Sequence, residues 1–364
     1  MAVRYPEGFR RYDQDTGDEQ FLLLRKNLYG APQAGRLWEK ERNKVLMQLF
    51  SQQGWTIKRS RKDPCMFLIK KGSIRTWILI WTDDVDMVGE DEAVLQEIFQ
   101  MVNAKWESKQ VDAGYMLGVK RDITWRDDVM EVELTMTAFV QGMAAVFSGH
   151  LINRTINTPV PDKTFLHKSS KTTEEESKRV LDRGYMQLYG MLLWAARGTY
   201  PECLVGCSML GRVMAAPTEE AWHAAVWMLT YLTQHSERGI KYNSAGNATP
   251  VAFTDASNKP DPNDSKCQYG YTHLWMGGPI IAVSKKLNHV GLSAAHNEYQ
   301  ATHWANRHTM WLRDLYSPRW ISAMQSRSQQ RPSATTEPAI SSARKTLSPV
   351  AISSCRSPFT STRK

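Results

Sequence analysis

Residues 77–88 read Trp-Ile-Leu-Ile-Trp-Thr-Asp-Asp-Val-Asp-Met-Val, a short apolar run that ends in two adjacent carboxylates. Its five large apolar residues lie between Gly72 and these charges. This is the length of a buried β-strand and is too short for a helix. The pattern therefore predicts a strand, a tight turn at Asp83–Asp84 and a returning strand.

Two like charges at one turn repel each other, and a chain that needs only a turn more easily uses Asn-Gly or Asp-Gly. A pair of divalent cations would remove this repulsion. Mg²⁺ takes oxygen ligands and keeps several waters, so a few carboxylates and substrate phosphates complete its site. Two such ions about 3.5 to 4 Å apart support phosphoryl transfer. Asp83 and Asp84 are therefore candidate metal ligands, and the alternative is an ordinary solvated turn.

The composition is that of a globular protein with a basic surplus. The 364 residues allow two or three domains, and 42% hydrophobic residues with 13 Trp can build their cores. The formal net charge of +9 favours a polyanionic partner. Five Cys without a Cys-x-x-Cys pair indicate reduced thiols rather than disulfides or a zinc site. Because no apolar run approaches the roughly 20 residues that span a bilayer, we expect an intracellular protein of the cytoplasm or nucleus.

A segment punctuated by Gly and Pro, residues 28–38, precedes a helical pattern that continues to Phe50. Gln33 and Arg36 lie near the start of this helix. We predict that they face an incoming nucleotide or a template phosphate. The alternative is a surface loop with one packed Trp.

Four motifs occur in a fixed order along the first part of the chain. They are Pro6-Glu7-Gly8-Phe9; Leu28-Tyr29-Gly30 with Gln33-Ala34 and Arg36-x-Trp38; Asp63 with Phe67; and the aromatic-x-Asp-Asp box that starts at Trp81. In this order and spacing they resemble the reverse transcriptase of the Pol polyprotein of copia-type LTR retrotransposons. The resemblance implies a right-hand polymerase whose palm holds the hairpin, so that Asp83 and Asp84 match the polymerase carboxylates. Trp81 stands where the family usually has Tyr, which implies altered packing against the primer end or the incoming nucleotide.

The same resemblance implies a further metal-binding Asp in a strand upstream of the Pro-Glu-Gly-Phe segment, where this chain has five residues. We therefore expect residues 1–160 to form an incomplete fingers and palm fragment. The charged, apolar-poor segment 161–178 predicts a linker. Residues 179–245 show two helical stripes and resemble the family's thumb or connection, where we expect Arg212 to contact template-primer phosphates.

A second candidate centre begins where an apolar run ends at Asp255. The motifs that follow are Tyr269-Gly270-Tyr271, Gly277-Gly278, Ser284-Lys285-Lys286, Val290-x-Leu292-Ser293 and Glu298-Tyr299. Together they resemble the ribonuclease H domain of copia-type Pol proteins, over residues 246–316. Ser293 predicts the cap of a helix that carries Glu298. The resemblance implies that Asp255 and Glu298 hold metal ions for hydrolysis of the RNA strand of an RNA–DNA hybrid; for Glu298 alone, the alternative is a solvated helix residue.

Residues 317–364 are rich in Ser, Arg, Pro and Thr, and Glu337 is their only acidic residue. Such a composition buries too little apolar surface to offset the entropy of ordering the backbone. We predict a disordered basic tail in place of the family's strand with a third carboxylate. The tail either binds nucleic acid non-specifically or is an out-of-frame continuation.

The predicted fold class is α+β / α/β: an incomplete polymerase palm with a helical thumb or connection, followed by an incomplete RNase H-like mixed sheet with helices. The implied function is RNA-directed DNA synthesis coupled to RNase H cleavage. It uses Mg²⁺ or Mn²⁺, dNTPs, an RNA or DNA template-primer and an RNA–DNA hybrid. The alternative is a catalytically inactive retroelement remnant that at most binds nucleic acid, which the two missing carboxylate regions favour.

Overall fold

The computed structural model describes residues 2–25, 30–111, 114–161, 172–258, 261, 264–315 and 348–353. The chain divides into two compact units, which we call unit 1 (Met1–Ala113 with Pro318–Lys364) and unit 2 (Gly114–Ser317). The division between them falls at Ala113, upstream of the linker that the sequence predicts at residues 161–178.

Unit 1 contains a four-stranded antiparallel meander. Its helices and strands up to Val111 are β1 (Ala2–Arg4), β2 (Phe21–Leu23), α1 (Ala34–Gln52), β3 (Thr56–Arg59), β4 (Met66–Lys71), β5 (Ile74–Trp81), β6 (Asp84–Gly89), α2 (Glu92–Trp106) and β7 (Lys109–Val111). Strands β3, β4, β5 and β6 pair in that order, and β1 with β2 forms a separate sheet. Gly72, with a φ of +61°, makes the turn between β4 and β5.

The core of unit 1 lies against one face of this meander. Phe67, Ile78 and Met87 come from three neighbouring strands and are buried in one cluster with Trp38 of α1 and Leu95 of α2. Since successive strand residues point to opposite faces, this burial assigns the odd-numbered residues of β6 to the core. Asp84, the first residue of β6, therefore belongs to the opposite face.

Unit 2 combines two antiparallel sheets with a group of helices. Its elements are β8 (Tyr115–Met116), β9 (Val119–Arg126), β10 (Val129–Thr135), α3 (Thr137–Val146), α4 (Glu174–Asp182), α5 (Tyr185–Gly198), α6 (Leu204–Leu210), α7 (Glu219–Gln234), β11 (Ile240–Asn243), β12 (Val251–Ala256), β13 (Gln268–Trp275), β14 (Gly278–Lys286) and α8 (Ala294–Leu315). The sheet orders are β11-β10-β9-β8 and β12-β13-β14. Helices α3 to α7 enclose a core that includes Tyr185, Leu192 and Leu229, and α8 packs on β12 and β13.

The segment predicted as a linker, residues 161–178, ends in a helix. Helix α4 begins within it because Thr173 accepts a hydrogen bond from the amide of Glu176 at 3.1 Å. The three acidic residues of its first turn are favoured by the positive end of the helix dipole. Residues 162–171 lie outside the described residues. Farther on, the segment predicted as helical also holds strand β11, which pairs with β10.

The predicted disordered tail contains one strand. Ser348–Ser353 form β15, which lies between β6 and β7 and pairs antiparallel with both. The prediction of disorder is therefore wrong for these six residues. Val350 and Ile352 are β-branched and favour a strand, and neighbouring strands offer unpaired backbone groups. The other residues of the predicted tail lie outside the described residues.

The architecture is a mixed α/β fold with several antiparallel sheets, as the sequence predicts at the level of fold class. Within the described ranges, none of the helices is both long and apolar enough to cross a membrane.

Candidate active sites: two acidic centres

The two residues of the turn between β5 and β6 are Thr82 and Asp83. The hairpin register pairs Trp81 with Asp84, so Asp84 is the first residue of β6. The predicted turn at Asp83–Asp84 is therefore displaced by one residue: Asp83 lies in the turn and Asp84 in the strand. Both carboxylates lie at the same end of the hairpin.

Two buried side chains of α1 hold this turn. Nε1 of Trp38 and Nη1 of Arg42 both donate to the carbonyl oxygen of Thr82, at 3.2 and 3.3 Å. Trp38 and Arg42 are only 6% and 5% exposed. Thr82 has a φ of +51°, which is strained for a β-branched residue. The two hydrogen bonds stabilise the turn in this conformation.

The carboxylates at this turn interact unfavourably. Burial raises the pKa of Asp83, the neighbouring Asp84 raises it further, and the positive charge of Arg42 lowers it. Burial and a like charge both favour the protonated form of a carboxyl group. A cation at this position would have the opposite effect and would favour two ionised carboxylates.

The predicted binding residue Trp81 faces solvent beside the carboxylates. Its side chain is 58% exposed, and because Trp81 pairs with Asp84, the two side chains leave the same face of the hairpin. Gln33 is the N-cap residue of α1 and Arg36 lies in its first turn, and both are exposed. The helix that holds the turn therefore also positions these two polar residues.

A second Asp-Asp pair in unit 2 provides an internal comparison. Asp127 and Asp128 are the turn residues between β9 and β10, and the preceding Trp125 is 41% exposed. Both carboxylates of this pair are exposed, whereas Asp83 is half-buried beside Arg42. Sequence reasoning did not detect Arg42, since it is distant in sequence from the turn and carries no motif of its own.

The second predicted centre lies where β12 meets α8. Oε1 of Glu298 accepts a hydrogen bond from the amide of Ala256 at 3.1 Å. Ala256 follows the exposed Asp255, so Glu298 lies beside the strand end that carries Asp255. Ser293 caps α8 as predicted, because its Oγ accepts from the amide of His296 at 3.1 Å.

The buried residue Asn297 helps to fix α8 at this strand. Its Nδ2 donates to the carbonyl oxygen of Ser257 at 3.4 Å, and the residue is 1% exposed. A Cβ at Gly291 would lie 1.8 Å from Oδ1 of Asn297, so a larger residue there would displace the Asn297 side chain. Neither residue was identified from the sequence, because each is next to a more conspicuous motif residue.

The donors at both centres suit a hard cation. Asp83 with Asp84, and Asp255 with Glu298, offer only carboxylate oxygens, which Mg²⁺ and Mn²⁺ prefer. Oε1 of Glu298 already binds the Ala256 amide, so Oε2 is the oxygen left for a cation. Among the residues for which positions are described, no group of three or more His, Cys, Asp or Glu side chains is placed to hold a metal.

Arg212, predicted to contact nucleic-acid phosphates, takes part in an ion cluster within unit 2. Its Nη1 donates to Oδ2 of Asp261 at 2.9 Å, and its Nη2 donates to Gln268. Nζ of Lys286 reaches the same oxygen of Asp261 at 2.6 Å. Because Asp261 is buried, this pairing compensates its charge.

The chain is similar in sequence to proteins of transposons. It is 26% identical over 322 residues to the retrovirus-related Pol polyprotein from transposon TNT 1-94 of Nicotiana tabacum, covering 86% of this chain and 23% of that protein. It is 25% identical over 318 residues to the corresponding polyprotein from transposon RE2 of Arabidopsis thaliana, covering 86% and 20%. It is 22% identical over 292 residues to a putative transposon Ty5-1 protein of Saccharomyces cerevisiae, covering 80% and 89%.

No family model matches the chain, and no solved structure matches it. The chain spans 23% and 20% of the lengths of the tobacco and Arabidopsis polyproteins. The similarity to them nevertheless extends over 86% of this chain, which includes both acidic centres and the helices between them. In sequence as well as in the order of its motifs, the chain is similar to the Pol polyproteins of copia-type retrotransposons.

Proposed function

We propose that this chain provides two metal-dependent centres for chemistry on nucleic acid phosphates. Unit 1 supplies a polymerase centre at Asp83 and Asp84, within a right-hand palm. Strands β12 to β14 with α8 supply a ribonuclease H centre at Asp255 and Glu298. Helices α3 to α7 serve as the thumb or connection. The substrates are a dNTP with an RNA or DNA template-primer at the first centre and an RNA–DNA hybrid at the second.

The observation that carries the proposal is the position of Asp83, a half-buried carboxylate directly beside Asp84 at a hairpin end. Burial and the adjacent carboxylate raise the pKa of Asp83, so ionising both groups costs free energy. Shifted pKa values of this kind are concentrated at functional sites. The chain nevertheless keeps the pair at a hairpin end, held by Trp38 and Arg42. An arrangement that is unfavourable alone and favourable around a cation fits a metal site better than a simple turn.

Each residue of the first centre has a distinct role. Asp83 and Asp84 hold Mg²⁺ or Mn²⁺, which when bound supplies positive charge that lowers the barrier to attack on a phosphate. Arg42 keeps the turn in place through Thr82. Trp81 offers an exposed aromatic face on which a base can stack. Gln33 and Arg36 contact phosphate oxygens of the nucleotide or template.

At the second centre, Glu298 is already oriented by the amide of Ala256. That hydrogen bond leaves its other oxygen and the exposed Asp255 to hold the cation that lowers the barrier to attack by water on an RNA phosphate. The 2′-hydroxyl distinguishes the RNA strand from the DNA strand of the hybrid.

Primer extension tests the first centre. Wild-type protein extends a DNA primer on an RNA template with Mg²⁺, and the double variant Asp83→Asn with Asp84→Asn does not. The matched control is Asp127→Asn with Asp128→Asn. It neutralises the exposed acidic pair in the turn between β9 and β10, and we expect it to retain extension. Equal extension by wild type and the Asp83/Asp84 variant contradicts the assignment.

A binding measurement separates metal binding from turnover. A ligand that binds only the folded state raises its stability, so Mg²⁺ or Mn²⁺ raises the Tm of wild type. The Asp83/Asp84 variant shows a smaller rise than the Asp127/Asp128 control. Template-primer binding that weakens with salt, without metal-dependent extension or a metal-dependent Tm shift, favours the alternative of a nucleic-acid-binding protein without catalysis.

Hybrid cleavage tests the second centre. Glu298→Gln keeps an oxygen that accepts from the Ala256 amide, so we expect the fold to persist while Mg²⁺-dependent cleavage of the RNA strand is lost. Asp314→Asn lies at the far end of the same helix and is the control. Cleavage by Glu298→Gln at the wild-type rate removes Glu298 from the site.

A further inference from the structure

The edge of β6 next to the Asp83–Asp84 turn is covered by a distant segment of the same chain. Strand β15 pairs along β6 from Ser348 opposite Gly89 to Ile352 opposite Val85. Its other edge pairs with β7, where Ala351 lies opposite Val111. Among the described strands of this sheet, β15 is the one that lies between β6 and β7. Without it they would stand two strand spacings apart, about 9.6 Å.

The hairpin turn determines which backbone groups of β6 are available to β15. In an antiparallel pair, alternate residues direct both N–H and C=O to one neighbouring strand. The two-residue turn pairs Trp81 with Asp84, so the even-numbered residues of β6 bond to β5. The amide of Glu90, which donates to the carbonyl oxygen of Arg75 at 3.1 Å, continues this pattern. The backbone groups of Val85, Met87 and Gly89 consequently face away from β5.

The register of β15 matches this pattern of free groups. Residues Ser348, Val350 and Ile352 lie opposite Gly89, Met87 and Val85, and these pairs have the backbone groups needed for hydrogen bonds. Pro349, which has no N–H, lies opposite Val88, whose groups are used on β5. The one residue of β15 that cannot donate therefore stands where β6 does not require a donor. Pro349 also lies beyond the residues of β15 that pair with β7, as expected for proline in a sheet.

We propose that the β6 edge is a strand-docking site and that Ser348–Ser353 is its occupant, held in cis. Addition of an extended segment to a sheet edge is a common mode of peptide recognition, in which main-chain hydrogen bonds supply affinity. Covalent attachment to the same chain raises the effective concentration of the segment. The pairing ends at Val85, directly after Asp84, so occupancy of the site fixes the strand that carries this carboxylate. Docking of β15 involves backbone pairing alone and does not depend on the polymerase and RNase H assignments.

Residue-resolved hydrogen exchange on the full-length chain tests the site. Val350→Pro removes the N–H that faces Met87, and Ala343→Pro, in the same tail but outside β15, is the control. We expect Val350→Pro to accelerate exchange at least about tenfold at the amides of Val85, Met87 and Gly89. The amides of Asp86 and Val88, which face β5, keep their protection in both variants. Unchanged exchange at the odd-numbered amides of β6 in Val350→Pro overturns the proposal.

A peptide added in trans distinguishes loss of docking from general unfolding. We expect a synthetic peptide of residues 346–354 to bind the Val350→Pro chain and restore slow exchange at Val85, Met87 and Gly89. Wild-type chain, whose site is occupied, binds the peptide at least about tenfold more weakly because its own segment competes. A scrambled peptide restores nothing. Equal peptide binding by wild type and variant, or no binding by either, argues against a strand-specific site at this edge.

Discussion

Nη1 of Arg42 donates to the carbonyl oxygen of Thr82 at 3.3 Å, across 40 residues of sequence. This bond joins α1 to the turn that carries Asp83 and places a buried positive charge near an acidic pair. A buried guanidinium is tolerated only when it is hydrogen-bonded, and Asn43 supplies a second acceptor at 3.2 Å. The location of Asp83 therefore depends on a basic residue that is not itself a candidate ligand.

Replacing Arg42 by Met should destabilise unit 1 and raise the pKa of Asp83 further. The variant loses the hydrogen bonds of a charged donor to Thr82 and Asn43, each typically worth about 1.5 to 3 kcal/mol. It also loses the attraction that lowers the pKa of Asp83. The stability loss is larger at pH values where Asp83 is ionised than at pH values where it is protonated. Thermal denaturation and NMR titration of the Asp83 carboxyl carbon measure the two effects.

The control for this change lies on the same helix. Arg36→Met removes an exposed guanidinium from the first turn of α1 and should alter stability by no more than about 0.5 kcal/mol. An equal loss in both variants, independent of pH, would mean that Arg42 acts only through packing.

Asp83→Asn should raise the Tm at neutral pH. Because the folded-state pKa of Asp83 is raised, the folded protein holds the proton more tightly than the unfolded chain does. The stability from this proton is present below the unfolded pKa of about 3.9 and is lost as the pH rises through the folded pKa. The variant avoids this loss, so its advantage appears at pH 7 and disappears below about pH 4. Denaturation scans across this range measure it.

The control for that measurement is a substitution of the exposed residue Asp127. Asp127→Asn changes a turn residue of the same type at the β9–β10 hairpin, and we expect a stability change within about 0.5 kcal/mol at pH 7. A Tm gain from Asp127→Asn equal to that from Asp83→Asn would show that the effect is common to acidic turns and does not report the paired site.

The hairpin of the first centre could be predicted from the sequence because the residues that indicate it are adjacent in the chain. The apolar run and the acidic pair in residues 77–88 indicate a hairpin, and the hairpin is present, displaced by one residue at its turn. Arg42 could not be found in this way, since its contact with Thr82 is long-range. The pair Asp127–Asp128, also preceded by a tryptophan, differs from Asp83–Asp84 in burial, which no local pattern reveals.

The two larger differences between prediction and structure arise where a prediction depended on the average composition of a long segment. The charged stretch that predicted a linker contains a local helix start, Thr173 followed by three glutamates. The Ser- and Arg-rich tail contains the short run Pro349-Val350-Ala351-Ile352, which pairs with β6. In both cases a few residues with specific backbone partners outweigh the composition of the longer segment around them.

A buried histidine of β13 that contacts α8 should make the stability of unit 2 sensitive to acid. His273 is 1% exposed, and its Nε2 lies 2.9 Å from Oγ1 of Thr309. Burial lowers its pKa, and the positive charge of His308 lowers it further. Stability from the neutral ring is present above the unfolded pKa of about 6.5 and is lost as the pH falls through the folded pKa. We expect unit 2 to lose stability as the pH falls below about 6.5, measured by chemical denaturation.

His273→Gln tests the origin of that loss, because the amide can still contact Thr309 but does not titrate. We expect its stability to fall less on acidification than that of wild type. His303→Gln, at an exposed position of α8, should follow wild type. If His273→Gln loses as much stability as wild type over this range, another group in unit 2 is responsible.

Trp81→Ala should weaken binding of a single-stranded template or a template-primer, because Trp81 is the exposed aromatic beside Asp84. Stacking of one base on an aromatic side chain is worth about 1 to 3 kcal/mol, so affinity should fall about 5- to 150-fold. Fluorescence anisotropy at constant salt measures it, since ionic strength alone changes the affinity of basic proteins for nucleic acid. Trp125→Ala removes the similarly exposed aromatic beside Asp127–Asp128 and should leave affinity unchanged. Equal losses in the two variants would mean that exposed aromatic surface in general, rather than the acidic turn of unit 1, binds the strand.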